Sequence, residues 1–205
     1  IIKEMIKSYI INLLYLFRML KDKTKQSFLN WYIGKCKKVD RIFDKNESFL
    51  EHLYKLSYKM TPIIDNLFLG NACDASYYYK LKENNISSIV NVTNEIPNYF
   101  KNDFNYFKIS INDCNQESFT NKQFNDILNF IETTQKNKPN ENILIHCYMG
   151  SSRSATIVIL YLMKQYNMSL EKAIHFIKSK RDIININTTF LTNLRNYEKI
   201  LKKQK

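Results

Sequence analysis

Cys147 and Arg153 are separated by five residues in the stretch His146-Cys147-Tyr148-Met149-Gly150-Ser151-Ser152-Arg153-Ser154. A thiol nucleophile and a guanidinium at this spacing can close a loop around a tetrahedral dianion. Backbone N–H groups of a tight loop, backed by a helix N-terminus and its dipole, make such an anion site. The field that holds a phosphate dianion also holds a thiolate, so Cys147 at the bottom of this cradle reads as an activated nucleophile. Arg153 offers a planar fork to two phosphate oxygens, a geometry that Lys cannot reproduce. The chain has three glycines, Gly34, Gly70 and Gly150, where average usage would give roughly 14. One of the three sits inside this loop, where the backbone must turn tightly and approach a ligand. The alternative, a buried structural Cys147 and a surface Arg153, needs His, Cys, Gly, Arg and Ser to fall at these offsets by accident.

Such a loop needs a strand to deliver it and a helix to receive it. Ile143, Leu144 and Ile145, with Asn142 at the start, predict a short buried strand. The apolar run 155–163 predicts a core helix continuing to Tyr166. Upstream, the pattern gives a strand over 63–69, a helix over 75–83, and strands over 88–92 and 106–111. Thr120 to Gln123 is a capping box opening a helix to about residue 135, followed by the polar loop 135–142. Helices at 169–180 and from Thr188 complete the chain. The expected fold class is α/β, a mainly parallel central sheet flanked by helices on both faces, with the ligand at the carboxyl ends of the strands.

Residues 1–60 read as an added helical N-terminal extension, and 61–205 as the catalytic domain. Ile2, Ile6, Tyr9, Ile10, Leu13, Leu16, Phe17 and Leu20 share one face at helical periodicity, with Lys3, Lys7 and Arg18 opposite. Ile11 and Tyr15 fall on that otherwise charged face. Two further patterns are Phe28, Tyr32, Val39, Phe43 and Phe49, Leu53, Leu56, Met60. These favour packing against the catalytic domain or self-association over a membrane-surface or calmodulin-type segment.

The formal net charge is +12. Basic charge favours encounter with anionic, phosphorylated partners, although a solvated lysine-rich surface explains it equally well. Only five arginines occur and no nucleic-acid motif is present, so nucleic acid is not an expected partner. Cys36, Cys73, Cys114 and Cys147 lack close pairing, and His52, His146 and His175 complete no ligand pattern, so no metal is expected. Reduced thiols suit a reducing compartment, the cytoplasm, with the nucleus open as an alternative. No apolar run reaches the roughly 18–20 residues of a membrane span. The chain begins with Ile1, so the expected native start lies upstream, with room for a targeting segment.

The pattern His-Cys-x-x-Gly-x-x-Arg-Ser resembles the signature of the cysteine-dependent protein tyrosine phosphatases, and its surroundings resemble the dual-specificity branch. The similarity runs from about Pro62 to Lys203. Residues 63–71 resemble that branch's first strand and Leu-Gly turn, and 89–100 its Asn-Val-Thr segment. Residues 180–194 resemble the late loop and helix, with Ile186 where the family often has proline.

The resemblance implies hydrolysis of phosphotyrosine and phosphoserine/threonine through a phosphocysteine intermediate, without cofactor or metal. Cys147 is then the nucleophile, Arg153 the phosphate clamp, and Asp113, beyond the 106–111 strand, the general acid. Asp103 and Asp126 lie on less suitable segments, and the competing reading of Asp113 is a turn-capping residue. Ser154 corresponds to the family hydroxyl that donates to the thiolate, and residues 147–153 to the phosphate loop. His146 is expected to orient the loop rather than carry protons, since neighbours on a strand point to opposite faces. Asn187 is expected to cap the last helix, with loop support as an alternative.

Tyr148, Met149, Ser151 and Ser152 add no cation beside Arg153. By resemblance, phosphoinositide-directed relatives often carry one, so phosphoprotein substrates are favoured. A phosphate-binding pseudoenzyme and a phosphatase for lipid or RNA phosphates are the alternatives. Under oxidation, Cys114 or Cys73 is expected as the partner of Cys147.

Overall fold

The computed structural model describes residues 60–203, so the expected N-terminal extension lies, Met60 apart, outside the described residues. Five strands form one sheet in the order β1-β2-β5-β3-β4: β1 Thr61–Ile64, β2 Leu67–Gly70, β3 Ile86–Asn91, β4 Asn105–Lys108 and β5 Asn142–His146. Strands β2, β5, β3 and β4 run parallel to their neighbours, and only β1 is antiparallel. Their carboxyl ends therefore share one rim of the sheet. The expectation of a mainly parallel sheet between helices holds.

The single strand expected over 63–69 is instead a tight hairpin. The chain reverses at Asp65-Asn66, where Asn66 takes φ 63, a left-handed conformation that Asn tolerates better than most residues. Apolar residues flank the reversal on both sides, Ile63-Ile64 and Leu67-Phe68-Leu69, and only the polar pair Asp65-Asn66 marks it. Pro62 is accommodated because β1 lies on the sheet edge.

The helix expected over 75–83 is two short ones, α1 Ala72–Ser76 and α2 Tyr78–Glu83, separated by extended Tyr77. The first starts early because Asn71 caps it. The Asn71 side chain accepts from the N–H groups of Cys73 and Asp74, and Asp74 reaches back to the N–H of Asn71. Four longer helices follow: α3 Asn121–Asn137, α4 Arg153–Gln165, α5 Leu170–Lys180 and α6 Thr188–Lys203. The Thr120–Gln123 capping box is present at the start of α3, and Ser169 caps α5.

Central β5 has its last four residues buried because it is covered on both faces. Ile143 and Ile145 face the larger core with Leu67, Leu69 and Val90, and Leu144 faces a smaller one with Leu81, Ile89 and Phe104. Helix α4 is buried at every position from Arg153 to Met163. A helix apolar on all sides is what a central position demands. The loop between β5 and α4 is thus anchored at both ends in buried structure. Among the described residues, no helix is long and apolar enough to cross a membrane.

Candidate active site

The loop 147–152 joins the carboxyl end of β5 to the first turn of α4. Its four carbonyls from Tyr148 to Ser151 are engaged from outside. Ala72 N–H donates to Tyr148 O at 3.1 Å and Asn185 N–H to Ser151 O at 3.0 Å. The Arg181 guanidinium donates to Met149 O at 3.3 Å and to Gly150 O at 2.9 Å. In a trans peptide the N–H points opposite the C=O, so holding these carbonyls outward turns the following amides inward. Gly150 N–H indeed points at Cys147 Sγ, 3.2 Å away.

Gly150 is the hinge of this arrangement. It takes φ +68, and a Cβ there would lie 2.5 Å from Gly70 O and 2.8 Å from Arg181 Nη2. Arg181 itself is buried and also donates to Thr61 Oγ1 at 3.1 Å. Gly150 is marked in the sequence by its rarity, whereas nothing there singles out Arg181.

Cys147 Sγ accepts a second hydrogen bond, from Ser154 Oγ at 3.1 Å. Two donors thus converge on one buried sulfur. The Ser154 hydroxyl lies against the Cys147 sulfur.

Arg153 is buried in the first turn of α4. Its Nη1 and Nη2 donate to the two carboxylate oxygens of Glu95 at 2.9 and 2.7 Å, and Nη1 also donates to Ile111 O at 3.0 Å. One edge of the guanidinium is thus occupied by protein. Nε is buried without a hydrogen-bond partner, 3.9 Å from Asp113 Oδ2. Burial works to lower the guanidinium pKa, but Glu95, together with the charges of Cys147 and Asp113, outweighs it and the net shift is upward. Arg153 stays charged, and Nε–H with the second Nη2 hydrogen, on the side of the guanidinium that Glu95 leaves open, are the donors left for an anion.

Glu95 was missed from the sequence. The usable signal was that a buried Arg needs a counter-ion, and Glu95 lies within the 89–100 segment, two residues after Thr93. A polar network shapes its loop. Thr93 Oγ1 donates to Asn91 Oδ1 at 2.6 Å, and Asn91 Nδ2 donates to Ile96 O at 2.9 Å. Lys108 Nζ donates to the same Ile96 carbonyl at 2.6 Å.

Strand β4 ends at Lys108 rather than 111, because only one further rung, Ile109 N–H to Asn91 O at 2.9 Å, continues the pairing. The chain then crosses Arg153 and presents Asp113, whose Oδ1 accepts from Ser152 Oγ and from Asn187 Nδ2, both at 2.8 Å. Asn187 also caps α6, its Oδ1 accepting from Phe190 N–H at 2.8 Å. Ile186, in place of the family's proline, leaves this turn intact.

His146 is buried, with Nδ1 3.3 Å from Cys147 O. Burial above all pushes its pKa down to about 4, so the ring is neutral. The thiols of Cys114 and Cys147 are free. Among the described residues, no group of three or more His, Cys, Asp or Glu side chains could hold a metal ion. An arrangement of inward amides and an open guanidinium edge beside the Cys147 sulfur can seat a tetrahedral anion.

Residues 67–200 match the family described as dual specificity phosphatase, catalytic domain. The chain belongs to the dual-specificity phosphatase family. It is 34% identical over 145 residues to protein phosphatase Slingshot of Drosophila melanogaster, covering 71% of this chain and 14% of that protein. Human Slingshot homolog 1 is 37% identical over 147 residues, covering 72% of this chain and 14% of that protein. The chain thus spans a small part of the length of these relatives. Among solved structures, human DUSP28 superposes with a TM-score of 0.65 at 26% identity, covering 70% of this chain and 98% of that one.

Proposed function

We propose that this chain hydrolyses phosphate monoesters on proteins, phosphotyrosine and phosphoserine/threonine alike, through a phosphocysteine intermediate. The observation that carries this reading is the pair of donors on Cys147 Sγ beside an unpartnered, buried Arg153 Nε. A phosphate seated on the inward amides supplies the oxygen that Nε lacks and brings phosphorus over sulfur.

In the first step a Cys147 thiolate lone pair forms the S–P bond as the ester P–O bond breaks. The electron pair leaves on the ester oxygen, which takes a proton from Asp113. In the second step water attacks phosphorus, Asp113 accepts its proton, and the S–P electrons return to Cys147 Sγ, to which Ser154 Oγ–H donates. Charge on the equatorial oxygens is met by loop amides and Arg153, so positioning supplies most of the rate.

No cation besides Arg153 occurs in the loop, which supports a substrate with one phosphate per site. Residues 61–205 form the catalytic domain in this reading, with 1–60 an extension to it. The intact Cys147–Asp113 pair speaks against a pseudoenzyme.

The test is turnover of a phosphopeptide panel beside inositol lipids and triphosphate RNA, with Cys147→Ser and Arg153→Lys as controls. Metal-independent release of phosphate from phosphotyrosine and phosphoserine/threonine peptides, lost in both variants, is the expected result. Activity surviving Cys147→Ser, or confined to lipid or RNA, rejects the proposal.

A further inference from the structure

We infer that Asn187 is a positioning residue for proton transfer, aiming Asp113 so that Oδ1 is held by the protein and Oδ2 carries the transferable proton. This rests on the reading of Asp113 as the general acid. Asn187 Oδ1 accepts from Phe190 N–H at 2.8 Å. A backbone N–H is only a donor, so the orientation of the Asn187 amide is fixed. Its Nδ2 must then be the group facing Asp113 Oδ1 at 2.8 Å. Ser152 Oγ donates to the same Oδ1 at 2.8 Å and lies 3.3 Å from the Asn187 N–H, which donates to it. Two donors on Oδ1 leave no place there for a proton, whereas Oδ2 faces the anion side of the site, 3.9 Å from Arg153 Nε.

One side chain thus does two jobs at the start of α6. Its oxygen caps the helix and its nitrogen sets the rotation of the acid. Neighbouring bonds anchor the same loop without touching the acid: Thr189 Oγ1 donates to Asn115 O at 3.0 Å, and Asn193 Oδ1 accepts from Phe119 N–H at 3.0 Å. In the first step the Oδ2–H bond breaks as the ester P–O bond breaks, and the proton ends on the leaving oxygen. In the second, Oδ2 takes a proton from the attacking water.

Cap and aim can be separated. Asn187→Ser and Asn187→Asp keep an N-cap acceptor but remove the donor to Asp113. Rates would be measured over aryl phosphates of rising leaving-group pKa, together with melting temperature. Both variants should lose on the order of 10-fold in kcat on the poorest leaving groups, and under about threefold on the best, with the cap and melting temperature retained. A misaimed acid costs rate only where a proton is needed. Asp113→Asn should show the same grading more steeply, and adding Asn187→Ser to it should change nothing further. Thr189→Val, which loosens only the loop anchor, should leave the grading as in the parent.

An ungraded loss in Asp113→Asn itself would sink the underlying assignment of the acid. A graded Asp113→Asn alongside an ungraded or absent effect of both Asn187 variants would overturn this inference alone. So would losses that add in the double variant, or an equal grading in Thr189→Val.

Discussion

Glu95 grips Arg153 with both carboxylate oxygens, at 2.7 and 2.9 Å, and so decides which guanidinium edge meets an incoming anion. Arg153 is buried, and a charge taken out of water needs a fixed partner. Bidentate pairing supplies that partner and orients the plane at once. Glu95→Gln keeps the size but can accept from only one of the two nitrogens, and sets its own NH2 donor against the other. It should lower kcat/KM by about 10–100-fold and raise the inhibition constant of inorganic phosphate. Unchanged phosphate inhibition in a folded variant would mean that Ile111 O and the loop amides suffice to orient Arg153.

For Asp113→Asn the expected kcat loss is about 10²–10⁴-fold on alkyl or phenyl phosphates. It should be small for substrates with very good leaving groups, which depart without a proton. Rates across a leaving-group series check this, and an equal loss throughout would leave Asp113 only a structural role beside Ser152 and Asn187.

Gly150→Ala should abolish turnover and lower stability by about 2–4 kcal/mol. The added Cβ would meet Gly70 O at 2.5 Å in a conformation with φ +68, and the obstacle is backbone rather than a flexible side chain. Urea unfolding and phosphate release test the two halves separately. A stable, active Gly150→Ala would show that the loop has more freedom than its contacts with Gly70 and Arg181 suggest.

The loop chemistry was legible because it is local. Cys147, Gly150, Arg153 and Ser154 lie within eight consecutive positions, and β5 and α4 announce themselves by apolar runs. What was hidden depends on pairings far apart in the chain. Glu95 and Arg181 carry no periodic signal, and each matters through buried contacts with the loop or its Arg. The turn at Asp65-Asn66 was obscured because apolar residues continue on both sides of it. The break at Tyr77 was obscured because its neighbours are individually compatible with a helix. Asn187 was legible as a cap, but its second bond, to Asp113, needed the fold.

Mild peroxide should inactivate the enzyme reversibly, since a thiolate is the first target of oxidation. Of the two candidate partners, Cys73 is the one expected to trap Cys147. It follows Ala72, whose N–H is bonded to Tyr148 O at 3.1 Å, so α1 is tied to the loop itself. Cys73→Ser should convert recovery by dithiothreitol into permanent loss, with sulfinic acid on Cys147 by mass spectrometry, while Cys114→Ser should recover normally. The opposite pattern would assign the partner to Cys114.

His146 should impose a pH dependence on folding rather than on chemistry. Its ring is buried and neutral, with burial the main reason that its pKa falls to about 4 from the ordinary 6.5. The unfolded chain therefore binds more protons than the folded one between these values, and stability must fall as pH is lowered through that window. Above about 6.5 the contribution is fully present, and below about 4 the loss is complete, at about 3 kcal/mol for this group. Urea midpoints measured from pH 7.5 to 4 should decline in the parent, and the decline should be shallower by that amount in His146→Asn. Parallel declines in the two proteins would place the proton uptake on other groups and leave His146 without a role in acid sensitivity.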